Sequence, residues 1–139
     1  MYRKVMVAVG NDEASPFALQ EALHIASRNG ARLYIVHAAA KADDEEGKKN
    51  EEAGRNLLEQ ARLAAGAIAE VEVRLLDDVG EYGLNSIAEV IANAAARWGA
   101  DLLVVGTKGR RGLERLVIGS VAEKLVHTVE ISMLLVRPH

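Results

Sequence analysis

The chain has 139 residues, half of them hydrophobic, and a formal net charge of −3. That length suits one domain with a real core, and the acidity argues against a general nucleic-acid binder, which is usually basic. One Trp, three Tyr and one Phe leave Ala, Val, Leu and Ile to build the core, and the lack of Cys excludes disulfides, thiol catalysis and Cys-bound metal.

Lys4 to Val9 reads as a buried first strand. Its five apolar residues after Arg3 and Lys4 are too few for a signal-peptide core, and no run elsewhere approaches membrane-spanning length. A soluble cytoplasmic protein without membrane contact is the expectation. Gly10 to Glu13 is turn chemistry, and Ser15-Pro16 fits a helix N-cap and first helical position. The helix buries Phe17, Leu19, Ala22, Leu23 and Ala26 and stops at Asn29-Gly30. Leu33 to Val36 is a second buried strand. The charge-rich run from Lys41 to Glu52 reads as a solvated loop entering an exposed helix start. Leu57, Leu58, Ala61, Ala64 and Ala65 then carry helical spacing. Val71, Val73 and Leu75 alternate with Glu72 and Arg74, as in a strand near an edge.

Asp77 to Gly83 reads as a loop. Ser86 to Glu89 has the form of a capping box, followed by one apolar face of Ile87, Val90, Ile91, Ala94, Ala95 and Trp98. Leu102 to Val105 is a continuous apolar run, the mark of a parallel strand covered on both faces. A glycine-rich basic loop follows, from Thr107 to Val117. Lys108, Arg110, Arg111 and Arg115 stand against Glu114 there. Four positive charges against one negative give a local +3 within a chain of net −3. Ser120 to Glu123 forms a second capping box, opening a short helix, and Met133 to Val136 is the last strand.

Regular β/α alternation predicts an α/β fold: an open, five-stranded parallel sheet with helices on both faces and right-handed crossovers. Ligands of such sheets sit at the carboxyl ends of the strands, where the strand order reverses. The turn after the first strand and the loop after the fourth then face one crevice. A buried strand, a glycine loop and a helix start in that order build an anion site. Glycine lets backbone come close, and the first helical N–H groups have no intrahelical partner.

Gly106, Gly109, Gly119 and Ser120, in the spacing G-x2-G-x9-G-S, resemble the ATP-binding loop of the universal stress protein family. The resemblance extends through the surrounding block from Ala100 to Thr128 and, in element order and length, over residues 1–139 as one domain. It implies a flavodoxin-like or adenine-nucleotide-hydrolase-like fold and a stress-response function. It also implies a homodimer paired through the edge strand Met133 to Val136. Carried over, the adenine positions are Ala8, Val9 and Ala38. The phosphate positions are Val105, Gly106, Lys108, Gly109, Gly119, Ser120 and Val121. The implied ligand is ATP, or AMP or ADP, with Mg or Mn riding on the phosphates. Gly10 stands where nucleotide-binding members carry an Asp for the ribose, and glycine cannot make that bond.

Each of these residues also has a plainer reading. Ser120 is explained as a helix cap, Lys108 and Arg110 as solvated loop residues, and Gly106 and Gly109 as turn glycines. His37 ends the second strand as a packed side chain, and His24, His127 and His139 are isolated. No catalytic Ser-His-Asp or paired-carboxylate set and no metal-ligand spacing can be argued. The leading expectation is a nucleotide binder with at most slow ATP hydrolysis. A nucleotide-free dimeric regulator of the same family is the alternative. A receiver-like phosphoacceptor switch, using Asp12-Glu13, Asp77-Asp78 and Thr107, ranks third.

Overall fold

A computed structural model describes residues 1–40, 44–66, 70–79, 84–108 and 118–139. Among these described residues five strands alternate with four helices: β1 (Lys4–Ala8), α1 (Ser15–Asn29), β2 (Arg32–Ala40), α2 (Glu45–Ala65), β3 (Val71–Val79), α3 (Leu84–Trp98), β4 (Leu102–Gly106), α4 (Ser120–Thr128) and β5 (Ser132–Val136). The strands form one parallel sheet in the order β3-β2-β1-β4-β5. This is the expected open sheet with helices on both faces.

The two faces follow from the alternation of side chains along each strand. Val5 and Val7 of β1, Leu33 and Ile35 of β2, and Leu102 and Val104 of β4 point to α1 and α2. There they pack on Ala18, Ala22, Leu58 and Ala61. Met6, Tyr34, Val36, Leu103 and Val105 point the other way and pack on Ile91, Ala95 and Leu125 of α3 and α4. The small alanines let each helix lie close to the sheet, which is how a core with few aromatic residues fills its space. β3 and β5 are the edges; Met133, Leu134 and Leu135 of β5 are each only half-buried. Among the described residues, no helix is long and apolar enough to cross a membrane.

Several boundaries differ from those read in the sequence. α2 begins at Glu45, well inside the charged run, because the Asp44 carboxylate accepts from Gly47 N–H at 2.7 Å and caps it. β3 runs on through Asp77 and Asp78 to Val79, because β2 continues beside it as far as Ala40, with a register shift between Ala38 and Ala40. α3 starts at Leu84, two residues ahead of Ser86. Neither Ser15 nor Ser120 is an N-cap: the caps are Ala14 and Gly119, and Gly119 leads into the helix with extended backbone. Gly30 does end α1 as expected, at φ 62°, where its N–H turns back to the last carbonyls of the helix.

Candidate functional site

The strand order reverses between β1 and β4, whose connections leave on opposite sides. A cleft of about 500 Å³ opens at their carboxyl ends, within the range of small-ligand sites. Ala8, Val9, Gly10, Ala38, Val105, Gly106, Lys108, Gly119, Ser120 and Val121 all line it. The topology thus brings together ten of the residues singled out in the sequence from four separate segments. Gly109, together with Arg110, Arg111, Glu114 and Arg115, lies outside the described residues.

One wall is the turn after β1. Its shape is fixed by Asp12 and Ser15. Ser15 donates its N–H to Asp12 Oδ1 at 2.8 Å and its hydroxyl to Asp12 Oδ2 at 3.0 Å, and its Oγ accepts from Gly10 N–H at 2.7 Å. Ser15 is buried, with 5% of its surface exposed. It ties the turn from inside, and Asp12 supplies the start of α1 with the acceptor that Ala14 lacks. Both Asp12 oxygens are therefore engaged at the mouth of the cleft.

The second wall is the end of β2. Val9 N–H donates to Val36 carbonyl at 2.9 Å, and Val9 carbonyl accepts from His37 Nδ1 at 2.7 Å. His37 thus carries its proton on Nδ1, and its ring is pinned on the other side by α2. A Cβ on Gly54 would stand 2.8 Å from His37 Cδ2. The packed role expected of His37 acquires a definite partner. Val9 has spent its backbone groups inside the protein. Ala38, two residues beyond Val36, presents its N–H and carbonyl to the same side, past the last rung of β1. Of the three positions expected to meet a base, Ala38 has the backbone geometry to do so.

The third wall joins β4 to α4. Gly106 packs against the start of α1: a Cβ there would lie 2.7 Å from Ala14 Cβ and 3.2 Å from its carbonyl carbon. Glycine at 106 is thereby explained by helix–strand approach, before any ligand is considered. Gly119 faces Lys108, whose Cβ stands 3.3 Å from the position of an added Cβ. Ser120 is exposed and, with Gly119 as the cap, makes no side-chain capping bond. Ser120 and Val121, the first residues of α4, line the cleft together with Lys108, so a helix N-terminus and a cationic residue share one wall, an arrangement suited to anions. Ile87, Ile91, Ala122 and Leu125 form an apolar floor.

Thr107 was not among the binding residues read from the sequence. Only 4% of its surface is exposed, and its Oγ1 finds no hydrogen-bond partner among the described residues. The signal was available: Thr107 continues the inward parity of Leu103 and Val105 one step past the strand, so a hydroxyl falls on the core face. The receiver reading fails on topology. Receivers place the third strand beside the first, in the order 2-1-3-4-5, whereas here β2 separates β3 from β1 and holds Asp77 away from Asp12. Among the described residues, no group of three His, Asp or Glu side chains could hold a metal ion.

A family model, the universal stress protein family, matches residues 1–137. A curated relative, universal stress protein A homolog 2 of Coxiella burnetii, is 29% identical over 141 residues, covering 98% of this chain and 95% of that protein. A solved universal stress protein from Lactobacillus plantarum superposes with TM-score 0.81 at 17% identity, covering 98% of both chains. Similar folds were solved with nucleotides. One is a universal stress protein in complex with cAMP (TM-score 0.72, 24% identity, 99% of each chain). Another is an Arabidopsis thaliana family member with AMP bound (TM-score 0.68, 20% identity, 99% of this chain and 92% of that one).

Proposed function

The chain belongs to the universal stress protein family, and from that premise we propose that residues 1–139 form one adenine-nucleotide-binding domain that works as a homodimer. The observation that carries this reading is the cleft at the β1/β4 reversal, where a free strand end, a helix N-terminus and a lysine converge. The base lies against Ala8, Val9 and Ala38, with its hydrogen bonds to the Ala38 backbone. The phosphates lie over Gly119, Ser120 and Val121 with Lys108 beside them, and Gly109 completes the loop. Relatives with AMP and cAMP in their crystals support an adenine nucleotide. ATP fits the same cradle, with a divalent cation carried on its phosphates rather than by protein ligands.

The domain is a binder with at most slow hydrolysis. Of the two carboxylates lining the cleft, Asp12 and Glu13, Asp12 is engaged with Ser15, which leaves it poorly placed to orient a water. Dimerisation runs through β5, whose three half-buried apolar residues lie on an open edge.

One observation favours the second reading, a nucleotide-free dimeric regulator. Gly10 offers no carboxylate to a ribose, and Asp12 is already committed to the turn. Native mass spectrometry of freshly purified protein separates the two. A co-purifying mass of AMP, ADP or ATP is expected. A clean protein mass, together with no calorimetric heat from millimolar AMP or ATP with Mg²⁺, would leave the regulator reading standing.

A further inference from the structure

We propose that Thr107 is a ligand-contacting residue of this cleft, donating its hydroxyl proton to a phosphate oxygen held over the N-terminus of α4. The proposal rests on the nucleotide reading above and adds a specific contact to it. A hydroxyl buried without a partner is costly, and native proteins rarely leave one so. Valine has nearly the shape of threonine and would fill the same space at no such cost. With no partner for it among the described residues, the retained hydroxyl points to one that arrives from outside the chain.

Its position says which partner. Thr107 follows β4 directly and its backbone is fixed, with its N–H donating to Val136 carbonyl at 2.9 Å. It lines the cleft next to Lys108, opposite Gly119, Ser120 and Val121. The groups around it are a cation and a helix N-terminus, so the incoming partner is an anion. An anionic oxygen only accepts, and a hydroxyl can donate to it. Oγ1 itself is buried, with almost no surface open to water. A turn of the side chain between staggered wells exchanges the methyl and hydroxyl positions and brings the donor to the ligand. The donor is thus unsatisfied among the described residues, and the ligand supplies its acceptor.

Thr107→Val and Thr107→Ser, measured in the full chain with AMP, test this through two readouts that move in opposite directions. Thr107→Val is expected to raise the melting temperature of the ligand-free protein by about 2–4 °C, as removal of an unpaired buried hydroxyl should. The same variant is expected to weaken AMP by roughly ten- to hundredfold, the worth of a hydrogen bond to a charged group. Thr107→Ser is expected to keep AMP affinity within a few-fold of wild type. Adenosine, which lacks the phosphate, should bind wild type and Thr107→Val alike. If Thr107→Val binds AMP as tightly as wild type, the Thr107 contact is overturned and the nucleotide reading stands. If wild type binds neither AMP nor ATP, both are overturned. A lowered melting temperature for Thr107→Val in the absence of ligand would also overturn the proposal, since the hydroxyl would then have a structural partner.

Discussion

Replacing Gly10 by Asp supplies the carboxylate that the family resemblance leads one to expect after the first strand, and the turn described above determines what that costs. Gly10 does not lie at positive φ, so backbone strain is not the obstacle. The obstacle is Asp12. A Cβ at position 10 would stand 3.0 Å from Asp12 Oδ2 and 4.0 Å from Ser15 Oγ, so the Asp12–Ser15 hydrogen bonds must shift to admit it. The new carboxylate also adds a second negative charge beside the first. At about 4 Å that repulsion is about 1 kcal/mol in bulk water and about 4 kcal/mol at an effective dielectric of 20. Asp12 is exposed, so the lower end applies. A loss of about 1–2 kcal/mol lowers the melting temperature of a domain this size by roughly 3–8 °C. The gain is a ribose hydrogen bond to a charged acceptor, about 1–3 kcal/mol, or roughly 5- to 150-fold in affinity. The single variant is thus expected to be less stable, with a partly cancelled gain in AMP affinity, and part of the stability loss should disappear in 0.5 M salt. Adding Asp12→Asn removes the extra charge while Asn Oδ1 can still accept from Ser15 N–H. The double variant should show the full affinity gain, larger for AMP than for 2′-deoxy-AMP if the carboxylate reaches the 2′-hydroxyl. Calorimetry and thermal melts read both. A well-folded double variant with wild-type affinity would refute the reasoning, because the ribose would then already be held by Asn11 or by backbone.

Gly119→Val should fold, since Gly119 has ordinary extended backbone, yet lose nucleotide binding by at least tenfold as its branches displace Lys108 and cover the α4 N-terminus; calorimetry with AMP checks it. Leu135→Lys should convert a dimer to monomer or precipitate it, read by light scattering at ten-micromolar protein. Wild type running as a monomer there would dismiss the β5 pairing. Gly54→Ala forces a methyl to within 2.8 Å of the His37 ring and 3.1 Å of Leu75 Cδ1. It should cost about 1–3 kcal/mol by overpacking and, by loosening the His37–Val9 bond, weaken base binding as well; urea melts and AMP titration report the two effects separately.

How far the sequence could be read depended on whether burial left a periodic trace. β1, β4 and the apolar stripe of α3 were legible because both strands are covered on two faces and the helix on one. The first turns of α2 bury only Gly47 and Gly54 before Leu58, so no apolar rhythm announces them. Asp77 and Asp78 have the composition of a turn, yet partner pairing with β2 carries the strand through them. Local propensity yields there to a neighbour that no short window contains. In the cleft, the glycine spacing led to the right segments but not to every reason for them. Gly106 answers to Ala14, ninety-two residues earlier, and the N-cap expected at Ser15 and the capping box expected at Ser120 fail because Asp12 and the Gly119 backbone take over those roles. Thr107 is marked only by its parity with Leu103 and Val105, a weaker signal than the glycine spacing beside it.

The two open edges of the sheet are unlike. β3 shows Glu72 and Arg74 to solvent, and Arg32 pairs with Glu70 at 2.8 Å and with Glu72 at 3.2 Å across it. β5 shows Met133, Leu134 and Leu135. In the proposed dimer like would meet like through β5, where joining two apolar strands would remove both from water. The β3 edge offers a second molecule mainly charged side chains, Glu72 already paired with Arg32, and growth along it gains little. Assembly through β5, as proposed above, would therefore end at two subunits. A chain with apolar strands at both edges would have had the means to add copies without limit, as a fibre does.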